Sequence, residues 1–218
     1  MVTAGDPIAV VCALEIERRA LAGLERPGVE IHVSGMGADA ARALGERLTQ
    51  RPLRAVIATG FCGALVPRLE VGSVIVAERV VHENTGDVFE ADNLMLAAAE
   101  GRRGTLVSAR EVARTPADRA ALQGLAVDLE SAALARAARE ADVPFIAIRA
   151  VSDRFRDRIP DILDMLDHVG RPDRRALVMF AARHPREIRR LVRLGRSAKR
   201  AGEGMADGVG ALLTRLGA

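Results

Sequence analysis

Glu130 and Asp153 are the residues of this chain best placed to do chemistry. Glu130 lies in Asp128-Leu129-Glu130-Ser131, directly after an apolar run and at the head of a helical stretch. Asp153 closes Arg149-Ala150-Val151-Ser152-Asp153, the end of the next apolar run. Open α/β sheets bind ligands at the carboxyl ends of their strands. Two carboxylates on adjacent strand ends, with Arg149 close by, would suit proton transfer to and from a bound small molecule. A helix cap accounts for either carboxylate alone; it accounts less well for both together.

Three further strand ends carry suggestive residues. Ala13-Leu14-Glu15-Ile16-Glu17 follows the first apolar run, where a glutamate is either a partner of the helix dipole or a functional group. Ser34-Gly35-Met36-Gly37 is a GxG turn without the third glycine of a dinucleotide fingerprint, so it reads as a tight turn that brings backbone amides near a ligand. In Thr59-Gly60-Phe61-Cys62-Gly63-Ala64-Leu65, Gly60 and Gly63 leave room for backbone to approach a bound sugar or anion. A strained turn with no ligand would use the same residues.

The elements that must position these groups follow from periodicity. Short β-branched runs alternate with segments of helical period, the pattern of βαβ units. Strands are expected over 8–12, 29–34, 55–59, 71–81, 105–108, 125–128 and 145–151, and helices over 15–24, 38–49, 92–100, 116–122 and 130–141. The fourth helix has Thr115 as its N-cap, Pro116 at the first position and Asp118 in the first turn. The fold class is therefore α/β, three αβα layers with a mostly parallel central sheet plus C-terminal helices from Pro172 onward. One domain is expected over 1–218, with an α/β core over about 1–155 and a helical extension over about 156–218.

Composition narrows the function classes. Aromatic residues make up only 2% of the chain, with no Trp or Tyr, so it lacks the stacking platforms of a single-strand nucleic-acid binder. Cys12 and Cys62 sit in buried-strand contexts without a CxxC, and His32, His82, His168 and His184 are scattered. Structural thiols and no metal or other cofactor are expected. No apolar stretch reaches about 18 residues and the N-terminus lacks a basic leader, so the expected location is the cytoplasm.

Taken in order, ALEIE, GMG, ATGFCGAL, AVDLESAALA and IRAVSD over about residues 8–153 resemble the bacterial 5′-methylthioadenosine/S-adenosylhomocysteine nucleosidases and the wider purine nucleoside phosphorylase superfamily. The resemblance implies cleavage of a purine nucleoside's N-glycosidic bond. It implies Glu17 as the base that activates water and Asp153 as the acid that protonates purine N7. It further implies Glu130 on the ribose hydroxyls, Leu129 against the sugar and Arg149 near the nucleophile. Asp128, Ser152, Gly60, Phe61 and Gly63 join Glu130 and Leu129 as substrate-binding candidates. The cleavage passes through an oxocarbenium-like sugar, so a protonated leaving base and a poised nucleophile both lower the barrier. The relatives' assembly implies a homo-oligomer, in the first instance a homodimer.

Departures from the pattern matter as much. Phosphorolytic members share a GDPxR loop after the first strand and an Arg before the TG turn. Here Gly5-Asp6-Pro7 precedes the strand with no following Arg, and Ala58 stands before Thr59. Water is thus favoured over phosphate, which would be a co-substrate only in a phosphorylase. Phe61 stands where a Ser is usual, and Val112 about where a Phe would face the base. The short middle stretch, with GRPDRRALVMFAARHPREIRRLVRLGRSAKRA, resembles the hopanoid-associated subgroup, which implies removal of adenine from adenosylhopane, a lipid-linked nucleoside.

The segment 186–200 is basic. Arg186, Arg189, Arg190, Arg193, Arg196 and Arg200 share one helical side, with Ile188, Leu191, Val192 and Ala198 on the other. It reads as a solvated helix packed on the core, as a helix on an anionic membrane surface, or, least well, as a nucleic-acid contact. The row Asp157, Asp161, Asp164 and Asp167 is either a solvated face or part of a flap over the site.

Overall fold

The computed structural model describes residues 5–159, 167–171 and 188–218, with side chains in the last stretch described from Val192. The chain runs β1 (Ile8–Cys12), α1 (Glu15–Leu21), β2 (Val29–Val33), α2 (Ala38–Leu48), β3 (Ala55–Ala64), β4 (Val74–His82), β5 (Val88–Glu90), α3 (Asn93–Ala98), β6 (Arg102–Ser108), α4 (Pro116–Ala120), β7 (Ala126–Asp128), α5 (Ser131–Glu140), β8 (Phe145–Asp153) and α6 (Ile188–Arg215). Each expected strand and helix over 8–153 forms. The short β5 was not expected, and a 3₁₀ turn, Ala22–Leu24, replaces the last turn of the first helix. α4 starts as its sequence dictates, with Thr115 Oγ1 accepting from Asp118 N at 3.2 Å and Asp118 Oδ2 accepting from Thr115 N at 2.9 Å.

β2, β1, β3 and β8 lie side by side and parallel. β3 is the pivot. It continues to Ala64 rather than ending at Thr59, so Gly60 and Gly63 belong to a strand and not to the expected turn. One edge of β3 carries β8 along nearly its whole length. The other carries β1 at Ala55–Ala58 and then β7, antiparallel, at Gly63 and Ala64. β7 pairs with β6, β6 with β4, and β4 antiparallel with β8, so β3, β7, β6, β4 and β8 close into a ring. The sequence suggested that β7 and β8 are neighbours; instead they flank β3 from opposite edges. The reason is the length of β3, whose upper half offers an edge that β1 does not reach.

Alternation in β1 shows why the sheet is covered on both faces. Ala9 and Val11 pack with Ala41, Leu44 and Leu48 of α2 and Ala132, Leu134 and Ala135 of α5. Ile8, Val10 and Cys12 pack on the other face with Leu21 of α1, Met95 of α3 and Ala201, Met205, Val209, Leu212 and Leu213 of α6. Burying each such Leu or Ile contributes about 1.5–3 kcal/mol. The second half of α6 is thus part of the core. Its first described turns differ: Arg193, Arg196, Lys199 and Arg200 are exposed, and Val192 is 49% exposed. Arg186 and residues 172–187, where further helices were expected, lie outside the described residues, as do the side chains of Ile188, Arg189, Arg190 and Leu191. Among the described residues no helix is long and apolar enough to cross a membrane. Cys12 and Cys62 are both buried free thiols.

Candidate active site

Glu17 occupies the first turn of α1 and turns its carboxylate back toward the sheet. One oxygen accepts from Ala13 N and Leu14 N, both at 2.9 Å, and the other from Phe61 N of β3 at 2.7 Å. The side chain caps its own helix and ties it to β3 in a single contact, and it is only 2% exposed. Burial pushes its pKa up, against the pull of Arg149 and the three amides.

Arg149 projects from β8 into the same place and is 1% exposed. Its Nη1 donates to Thr59 O at 2.8 Å, and Nε and Nη2 donate to Ser131 Oγ at 3.3 and 2.9 Å. Nη2 also lies 2.5 Å from Asp128 Oδ2 and 3.9 Å from Glu130 Oε2. Gly60 makes the meeting with Glu17 possible: a Cβ there would stand 2.5 Å from Arg149 Nη1 and 2.9 Å from Glu17 Oε1, at a φ of +137°. Any other residue would have to displace one of them.

Glu130 is the N-cap of α5 and accepts from Gly37 N, the second glycine of the GMG turn, at 2.9 Å. Burial, with Asp128 alongside, raises its pKa to about 7 although Arg149 opposes the shift. Asp128 Oδ2 takes Ser131 N as well as Arg149, while Oδ1 is buried without a hydrogen-bond partner. Three carboxylates, Glu17, Asp128 and Glu130, thus surround one guanidinium.

Asp153 lies one step further along the upper half of β3. Its Oδ1 accepts from Ser152 Oγ at 2.7 Å and its Oδ2 from the buried Arg119 of α4. Ser152 Oγ also reaches Cys62 O at 3.3 Å. Burial pushes the Cys62 thiol up, with Arg149 opposing and Asp153, Asp128 and Glu17 adding to the shift. The sequence-derived candidates are therefore gathered about β3, with Asp153 beside the Arg149 cluster rather than within it. Arg119, Ser131 and the Gly37 amide were not singled out. Ser131 stands inside the motif that was read, but nothing in the local pattern of α4 signals that its arginine is buried.

A cavity of about 720 Å³ opens beside these residues, lined by Leu129, Val112, Ala109, Arg110, Ala113 and Leu122 among others. A second, of about 520 Å³, is lined by Met36, Gly37, Ser108, Leu129 and Ala132 among others. Leu129, Asn84, Ala109 and Arg110 are common to both. None of Glu17, Glu130, Arg149 and Asp153 lines either cavity; the connection runs through Gly37 and Leu129, the neighbours of the Glu130 carboxylate. Phe61 is half-buried and packs on the α6 side of the sheet.

The segments after β8 border the same region. Ile159 N donates to Arg114 O at 3.0 Å, and Met36 N donates to His168 O at 2.7 Å. Asp157 accepts from Arg154 N, and Asp167 from Val169 N and Arg171 N, so these two aspartates close turns. Asp161 and Asp164 lie outside the described residues.

The sequence profile of the Phosphorylase superfamily matches residues 23–175. The chain belongs to that superfamily. Among solved structures it is similar to the S-adenosylhomocysteine nucleosidase of Streptococcus pyogenes in complex with 5-methylthiotubericidin. The identity is 20% and the TM-score 0.73, with 98% of each chain covered. It is also similar to the 5′-methylthioadenosine/S-adenosylhomocysteine nucleosidase of Neisseria meningitidis in complex with methylthio-immucillin-A, at 20% identity and a TM-score of 0.72, covering 95% of this chain and 98% of that one. The futalosine hydrolase of Helicobacter pylori has 13% identity and a TM-score of 0.72, covering 96% and 98%. The superfamily member described here shares their αβα fold.

Proposed function

We propose that this protein is a purine nucleosidase that hydrolyses the N-glycosidic bond of a 5′-substituted adenosine and releases adenine. The observation that carries the reading is the gathering of Glu17, Asp128, Glu130 and Asp153 about the upper half of β3, next to cavities large enough for a nucleoside with a 5′ substituent. In this reading Asp153 gives its proton to purine N7 as the C1′–N9 pair of electrons leaves with the base. Water adds to C1′, and its proton passes to Glu17. Glu130 holds the ribose hydroxyls through charge-assisted hydrogen bonds, with Leu129 against the sugar.

The commitments of Arg149 favour water over phosphate. Its donors are engaged by Thr59 O, Ser131 Oγ and Asp128, so a phosphate arriving there would compete with carboxylates already in place. A second reading has one observation in its favour. Both oxygens of Glu17 are taken by backbone amides, as in a purely structural cap, which would suit a nucleoside-binding module without turnover. Product analysis with adenosine, methylthioadenosine and an adenosyl-lipid, with and without phosphate, separates these possibilities. Adenine should appear without phosphate. A strict phosphate requirement would make the protein a phosphorylase, and binding with no product would make it a binding module.

The adenosyl-lipid arm tests the finer proposal that the substrate is adenosylhopane. It goes with a peripheral membrane contact through the basic face of α6, where each exposed arginine near an anionic leaflet contributes about 1 kcal/mol. The protein should float with anionic liposomes and lose that property when Arg189, Arg193 and Arg196 are changed to Glu. Unchanged flotation would remove α6 from consideration.

A further inference from the structure

Arg119 is a buried cation near the sheet that the proposed chemistry leaves unused. It is fully buried, yet it comes from the five-residue helix α4, most of whose residues are half-buried or exposed. Each of its three nitrogens has a distinct task. Nε donates to Ala113 O at 3.1 Å, Nη1 donates to Arg154 O, and Nη2 donates to Asp153 Oδ2. One side chain therefore joins the 109–114 wall of the larger cavity to the end of β8. A buried guanidinium with all three nitrogens placed is a costly arrangement unless its charge is matched, and the matching charge is Asp153. Gly63 lets them meet beside β3: a Cβ there would lie 3.0 Å from Asp153 Oδ2 and 3.8 Å from Arg119 Cζ.

We infer that Arg119 is a positioning residue for the acid: it fixes the Asp153 carboxylate beside Gly63 and sets the pH above which Asp153 no longer holds a proton for the leaving base. The inference rests on the nucleosidase reading above. Both Asp153 oxygens accept hydrogen bonds, from Ser152 and Arg119, which is how an ionised carboxylate is held. The surroundings divide cleanly. From β3 come the buried Cys62 thiol and Gly63; from β8 itself come Ser152 and, further down the strand, Arg149. From the segment beyond come Asp157 and Arg154, the latter side chain engaged with Glu70 at 2.6 Å. Burial pushes the Asp153 carboxyl up, Asp157 adds to that, and Arg119 is the largest opposing influence.

The sign is then fixed. Asp153 must be protonated to act, so activity falls on the alkaline side as it ionises. Arg119 favours the ionised form, and its removal moves that fall to higher pH. The experiment measures kcat/KM against pH in the parent, Arg119→Lys and Arg119→Gln. The alkaline limb should rise in that order, by about 1–3 pH units in the uncharged variant, because Lys keeps the charge but cannot span three acceptors. A purely structural role would lower the rate at every pH and leave the limb in place, which would overturn the inference. Should Arg119→Gln not fold, carbon-13 titration of the Asp153 carboxyl in parent and Arg119→Lys gives the same comparison: an upward move supports the inference and an unmoved titration overturns it. Asp153→Asn separates the two levels. If it still releases adenine, Asp153 is not the acid and the nucleosidase mechanism fails; if it is inactive while the limb stays put, only the role of Arg119 fails.

Discussion

Replacing Glu17 with Gln should lower adenine release by about 10²–10⁴-fold, the range associated with losing a general base, and should also weaken the fold. The double effect follows from the partners. Three backbone N–H groups, from Ala13, Leu14 and Phe61, converge on the two oxygens of Glu17. A glutamine offers one acceptor oxygen and one NH₂, so one of the two sides must face a donor with a donor. A buried group left unsatisfied in this way costs about 1–3 kcal/mol. Steady-state adenine assays beside urea denaturation would read both quantities. A variant within tenfold of the parent rate would show that Glu17 is a cap and not the base, and would remove it from the proposed mechanism.

Arg149→Met should have the largest effect on stability. Arg149 is 1% exposed and is the common partner of Asp128 and Glu130, with Glu17 alongside. Removing it leaves buried carboxylates without a counter-charge, a change that costs about 3–5 kcal/mol. For a domain of this size that is a fall of about 6–20 °C in Tm. The loss should depend on pH with a definite sign. Glu130 has a pKa raised to about 7, so as pH falls through that value it becomes neutral and needs the cation less. The gap in Tm between parent and variant should therefore narrow on acidification. A drop of less than about 2 °C at pH 8 would mean that the carboxylates are already neutral there, and the electrostatic account of the site would have to be given up.

The two experiments probe different layers of one arrangement. Glu17 holds α1 to β3 through backbone amides, whereas Arg149 holds β8 to the β7–α5 corner through side chains. Gly60 is where they touch, and the absence of a side chain there lets both remain.

Much of this was legible in the chain itself. Periodicity placed the strands over 8–153, because a strand covered on both faces must be apolar at successive positions, as Ile8 to Cys12 are. Thr115, Pro116 and Asp118 announced the start of α4, because capping is local hydrogen bonding. The motifs around Glu17, Gly60, Glu130, Arg149 and Asp153 were read as one shared site, because open α/β sheets bind ligands at the carboxyl ends of their strands. Tertiary structure decided the rest. The continuation of β3 past Thr59 depends on β7 and β8 offering it edges, and those pairings join residues more than 60 positions apart. The same pairings separated β7 from β8 and so put Asp153 beside the Arg149 cluster instead of inside it. Arg119 had no signature, because burial of an arginine depends on a carboxylate and two carbonyls that only the folded chain brings to it.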